Sequence, residues 1–175
     1  MFKSSWFGGK QPYHQLFDEV DQDRVLGDLT AFFGPHAEPY LKVYEKMRAG
    51  AARNRTFPMT WSWPVFFGAF IWFFYRRMYL VGAVLILLPI VLSLLAGPTG
   101  GGGGMVAFAM LAKSIYVHSA LLRILKADAQ GLTGAERSDY LRRAGGVSPV
   151  AGVLAGLLYA AFFGLAILGI YADPQ

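Results

Sequence analysis

The sequence predicts an all-α polytopic membrane protein. It has three transmembrane helices, N-terminus inside and C-terminus outside, with an interfacial aromatic helix and amphipathic helices on the cytoplasmic side. Three observations carry that class. Apolar residues make up 55% of the 175-residue chain and charged residues only 15%, a balance that calls for lipid around part of the surface. Two long stretches, 78–96 and 148–171, contain no charged residue. The basic residues are also unevenly placed: 10 of the 16 Lys and Arg lie at or before Arg77, and no later one falls outside 113–143. With three crossings, every Lys and Arg of the loops lies on one side, as the positive-inside rule requires.

The same distribution decides what the net charge of +5 means. No basic run is interleaved with aromatics in a nucleic-acid-binding pattern, so membrane lipid is an expected partner and nucleic acid is not. The chain has no cysteine. That excludes disulfides, thiolate catalysis and sulfur-built zinc sites, and says nothing about redox compartment. Residues 1–15 hold neither an apolar core nor a small-residue cleavage site, so no signal peptide is expected. The first 60 residues are expected to stay on the side where they are made.

Residues 1–60 read as a cytoplasmic arm and two amphipathic helices. Phe2, Trp6 and Phe7 beside Lys3 and Lys10 suit an arm lying at the lipid interface, and an unstructured terminus accounts for them equally well. Over 18–33, Leu26, Leu29 and Phe33 recur at helical spacing, with Val25 and Phe32 widening the stripe. Acidic residues crowd its start, where the helix dipole favours them, and Gly34-Pro35 stops it. A second helix begins near Pro39, carries Tyr40, Val43, Tyr44 and Met47 on one face, and ends at Gly50. A small core between the two helices explains these stripes; a docking face is the alternative. A basic linker with Arg53 and Arg55 follows.

The central stretch, 61–96, is apolar and aromatic except for Arg76-Arg77. Trp61 and Trp63 suit the aromatic belt at the headgroups. A helix from Pro64 to Tyr75 covers only about 18 Å, short of the ~30 Å hydrocarbon core. Residues 61–77 are therefore expected to form a half-inserted or interfacial helix, with Arg76 and Arg77 back at the headgroups. Its aromatic face, Trp61, Trp63, Phe66, Phe70 and Trp72, is a candidate partner surface. Residues 78–122 are expected to form a transmembrane hairpin, spans 78–96 and 105–122 around a Gly-rich far-side turn. Residues 123–147 form a basic cytoplasmic loop, in which Thr133 and Glu136 have capping-box spacing before a helix to Ala144. Ser148-Pro149 opens a last transmembrane helix, and 148–175 ends in a short outer tail.

Few residues in these spans carry chemistry. Lys113 lies about 12 Å along the return helix, and a lysine at the bilayer centre costs on the order of 2.5–3.5 kcal/mol. Either it is a functional intramembrane cation, paired by a partner's carboxylate, or the membrane boundary lies at Lys113 and its ammonium snorkels to the headgroups. In the second case the helix continues as an amphipathic cytoplasmic extension. His118 is a candidate haem or pigment ligand, with hydrogen-bonded structure as the alternative. No cofactor is required by the sequence, and bound lipid is expected. On the last helix Gly152, Gly156, Ala160 and Gly164 recur every fourth residue as a smooth ridge that lets another helix approach closely. That helix is either one of the chain's own or a partner's. The run Gly100–Gly104 lacks a following GK[ST], so it is no phosphate loop. No nucleophile elbow, HExxH or paired carboxylates are present, so no enzyme is expected.

The segments FFGPHAEPYLKVYEKMRAG (32–50) and WSWPVFFGAFIWFFYRRMY (61–79), with Lys113-Ser-Ile-Tyr116-Val-His118, carry a family resemblance. Over 32–126 the chain resembles the bacterial inner-membrane proteins grouped as domain of unknown function 2628. The resemblance implies a multi-pass protein of the bacterial inner membrane with cytoplasmic amphipathic helices, and brings no activity. The expected function is that of a non-enzymatic accessory, scaffolding or assembly subunit of a larger membrane complex, with other membrane-protein subunits as partners. The alternative is a small transporter or lipid-binding protein using Lys113 and His118.

Overall fold

The computed structural model describes residues 13–51, 57–96 and 102–172. The readings for the arm up to residue 12, for Arg53 and Arg55, for the turn at 97–101 and for the last three residues lie outside them. Among the described residues there are eight α-helices and no strand: α1 (His14–Phe17), α2 (Gln22–Phe33), α3 (Glu38–Ala51), α4 (Trp63–Tyr75), α5 (Tyr79–Ala96), α6 (Gly102–Ala129), α7 (Gly134–Ala144) and α8 (Pro149–Ala172). A 3₁₀ turn, Gly34–His36, joins α2 to α3.

Local chemistry sets the ends. The Asp21 carboxylate accepts the Arg24 N–H at 3.0 Å and caps α2, so the acidic run works as a cap before it works as a charge. Gly34 (φ 74) stops that helix where Gly34-Pro35 predicts. α4 ends with Met78 N–H donating to Phe73 O (2.8 Å) and Arg77 N–H to Phe74 O (3.1 Å). This crossed pair normally closes on a left-handed glycine. Here Arg77 occupies the left-handed position (φ 58), at a cost of roughly 1–2 kcal/mol.

α6 runs 28 residues, about 42 Å, past 122 and through the stretch that the snorkelling reading of Lys113 assigns to an amphipathic extension, because a buried apolar face continues along it to Ala127. One local expectation is corrected. The Thr133–Glu136 capping box does not form: Thr133 is extended and its side chain makes no cap hydrogen bond. The next residue, Gly134, is left-handed (φ 54), which breaks the helical geometry that the reciprocal bonds need.

The described residues divide into two compact units: one comprises those up to Trp61 with Met110–Gly146, the other Ser62–Ala109 with the chain from Val147. In the first unit α2 packs on α7 and α3. The buried stripe of α6, Ala112, Tyr116, Ala120, Ile124 and Ala127, follows one helical face. Tyr116 is fully buried, its ring 5.6 Å from Phe32, 5.2 Å from Phe33 and 5.1 Å from Tyr40. The stripes of α2 and α3 thus form a small core, with Val25, Leu29, Phe32, Tyr40, Val43 and Met47 all buried. Tyr44 lies in the same core, its hydroxyl within reach of Gln22 Oε1 (3.0 Å) and Leu16 O (3.2 Å). Burial pushes the Tyr44 phenol up to about 12.

A charged network ties three helices of this unit. The Arg137 guanidinium on α7 reaches Asp28 on α2 through Nε at 2.9 Å and Nη2 at 2.6 Å. Its Nη1 donates to Asp128 near the end of α6 at 2.8 Å. Arg24 adds bonds to Asp128 (3.0 Å) and Glu19 (3.1 Å). The Asp28 hydrogen bond outweighs burial and raises the Arg137 pKa. For Arg24, burial acts downward but the hydrogen bond to Asp128 and the surrounding carboxylates prevail and raise it.

In the second unit α4 packs on α5 and α8, burying Val65, Phe73 and Ala155. Gly82 lets α5 sit close: a Cβ there would lie 2.5 Å from the Phe74 ring. Among the described residues, two helices are by length and composition apolar enough to cross a membrane, within Val106–Ala129 and within Gly134–Ala161. The second owes this to α8. Their surroundings differ: 44% of the first window is buried but only 11% of the second, so the first doubles as a core helix and α8 presents bare apolar sides.

Candidate functional site

Lys113 and Ser114 organise the junction between chain and helix in the first unit. Residues 57–61 run without helix and are laced to α6 by three bonds. Ser114 Oγ donates to Pro58 O (2.7 Å), the Thr60 N–H to Met110 O (2.8 Å), and Lys113 Nζ to Trp61 O (2.9 Å). The linker was legible in the sequence only as basic and polar. Its attachment was not, although the adjacent donors Lys113-Ser114 in an apolar helix were the available signal. A groove of about 400 Å³ opens here, walled by Lys42, Val43 and Lys46 of α3, by Met59, Thr60 and Trp61, and by Lys113. Lys42 is ion-paired with Glu38 on its own helix.

His118 stands five residues beyond Lys113, about 140° round the helix, and meets different groups. Its ring packs edge-on to Tyr13 (4.6 Å) and tilted on Phe57 (5.6 Å), and its Nδ1 has no hydrogen-bond partner among the described residues. The described residues contain no cluster of three His, Cys, Asp or Glu able to hold a metal. Lys113 and His118 therefore do not share one set of neighbours.

The aromatic face of α4 divides. Phe70 packs edge-on to Tyr159 of α8 (5.6 Å), and Trp72 lies against Phe73 (5.0 Å). Trp63 stacks on Phe67 (5.7 Å) with both rings largely exposed, and Phe66 stands edge-on to Trp63. Arg76 is buried, its guanidinium 6.0 Å and 5.8 Å from the Trp72 and Tyr75 ring centres, a cation–π arrangement. Arg77 is exposed.

The α8 ridge divides too, for a geometric reason. A step of four residues advances about 40° beyond a full turn, so the ridge winds around the helix. Gly152 faces α4, where a Cβ would meet Tyr75 Cδ2 at 3.1 Å. Among the described residues a Cβ at Gly156 or Gly164 would meet nothing within 4 Å, and Ala160 is exposed. Ala155 carries the buried face on, while Val150, Val153, Leu154, Leu157 and Leu158 are each more than half exposed. The small residues thus serve α4 at one end and lie open at the other.

A family model described as "protein of unknown function (DUF2628)" matches residues 36–166. The match runs past 126, where the resemblance in the sequence was drawn, across the Gly-rich turn and most of α8. No curated protein and no solved structure matches the chain.

Proposed function

This chain belongs to the DUF2628 family of proteins of unknown function, and from that premise we propose that it is a non-enzymatic accessory or assembly subunit of a larger complex in the bacterial inner membrane. The observation that carries the proposal is the open surface of α8. Its large apolar side chains face outward beside a stretch of small residues at Gly156, Ala160 and Gly164, which in lipid is the surface another helix packs against. The partner is a membrane-protein subunit offering a helix to that ridge. In mild detergent the wild-type chain is expected to co-purify with such a partner. The double variant Gly156→Leu, Gly164→Leu is expected to lose it at undiminished yield, whereas Gly152→Leu lowers yield by striking Tyr75. Migration of the wild-type chain as a lone monomer would overturn the proposal.

The topology that goes with it is three crossings, N-in and C-out. α5 supplies about 27 Å and α8 about 36 Å of helix. The return crossing is the shortest, because only 11 residues of α6, Gly102–Ala112, precede Lys113, about 17 Å, and a snorkelling Lys113 with local thinning of the bilayer accommodates it. α4, about 20 Å long, stays at the cytoplasmic interface. The absence of cysteine makes this easy to test with single introduced thiols. In intact cells Thr99→Cys is expected to react with an impermeant maleimide and Ser138→Cys only after permeabilisation; the reverse pattern refutes the topology. A second reading, lipid binding, is favoured by one observation, the lysines gathered around the groove at Lys113.

A further inference from the structure

We infer that the groove walled by Lys42, Lys46 and Lys113 binds the phosphate headgroup of an anionic phospholipid. This deepens the lipid-binding reading and stands apart from partner docking, since every residue it uses lies in the first unit. Three ammonium-bearing side chains and no carboxylate line the groove. Lys42 and Lys46 come from successive turns of α3, and Lys113 is brought opposite by its bond to Trp61 O. Lys42 keeps its pairing with Glu38, so the uncompensated charge is carried by Lys46 and Lys113, neither of which forms an ion pair among the described residues. Thr60, on the same wall, has a buried hydroxyl with no hydrogen-bond partner among the described residues.

The rim selects a lipid over a free phosphate. Met59 is 72% exposed and Trp61 37%, and both line the groove, so apolar side chains stand in the open beside a cationic recess. That pairing matches an amphiphile, with acyl chains against the apolar rim and the phosphate among the lysines. Trp61 on the rim is itself an aromatic of the kind that settles at the headgroup level. Lys113 is then an interfacial cation, and the cost of a buried one does not arise.

Native mass spectrometry of the full chain in detergent, loaded with equal phosphatidylglycerol and phosphatidylcholine, tests the inference. Phosphatidylglycerol is expected to be retained preferentially. Lys46→Gln is expected to weaken retention about fivefold, and Lys42→Gln added to it to weaken retention further. Lys46→Arg keeps the charge and retention. Lys42 and Lys46 are exposed, so neither change disturbs the fold. Equal retention of the two lipids, or an unchanged double variant, would overturn the inference. Displacement of the lipid by millimolar inorganic phosphate would also overturn it, assigning the groove to a soluble anion.

Discussion

Arg137→Met is expected to destabilise the first unit by about 3–5 kcal/mol, the cost of breaking a buried ion pair from one side. Arg137 and Asp28 are each about 8% exposed, and the guanidinium makes three bonds to the Asp28 carboxylate, through Nε to both oxygens and Nη2 to one. With methionine in its place, Asp28 keeps among the described residues only the longer contact to Arg24 at 3.9 Å, and the carboxylate stays desolvated with its three hydrogen bonds from Arg137 lost. Limited proteolysis of the detergent-solubilised chain, read by the appearance of cuts within α2 and α7, measures the loss. Removing both charges, as Asp28→Leu with Arg137→Met, is expected to recover most of it, because paired apolar replacements leave no orphaned charge. Equal proteolysis of the wild type and the single variant would show that the network contributes nothing to holding α7 against α2.

The second large effect is expected at Tyr116. Truncating a buried aromatic to alanine costs about 3–5 kcal/mol through lost burial and the cavity left behind. The surroundings place Tyr116→Ala at the upper end. Three rings converge on it from α2 and α3, and aromatic side chains are too large to close the gap by small rotations. Tyr116→Phe keeps the ring and is expected to stay within about 1.5 kcal/mol of wild type. Near-UV circular dichroism during thermal unfolding separates the two: a falling midpoint in both variants would point to the hydroxyl, and in the alanine variant alone to the ring. A midpoint unchanged in both would refute the role of Tyr116 as the centre of this core.

The two effects differ in how far they could be read from the chain. Tyr116 stood out as part of the Lys113–His118 segment, and its neighbours Phe32, Phe33 and Tyr40 lay on predicted apolar faces. Arg137, Asp28 and Asp128 carried no signal of their own, as charges on the polar sides of the helix over 18–33 and of the basic loop over 123–147. Their partners lie 109 residues apart in sequence for Arg137 and Asp28, and no periodicity reports a contact between separate helices. Lys113 occupied an intermediate position. Its place in an apolar helix marked it as unusual, but its role depends on the carbonyl of Trp61, 52 residues away.

Composition and periodicity by themselves determined that the chain is helical, where most helices begin and end, and that part of it is apolar enough for lipid. These properties follow from side-chain hydrophobicity at fixed spacing and from the φ demands of Gly and Pro, both local. Tertiary structure alone decided which faces are used up. It showed that the far half of α6 is the core of a charged-surface unit, that Phe70 and Gly152 are spent on packing α4 against α8, and that Gly164 meets no neighbour among the described residues. The reason is geometric: a ridge repeating every four residues precesses around a helix of 3.6 residues per turn. Which of its members meets a neighbour therefore depends on where that neighbour ends.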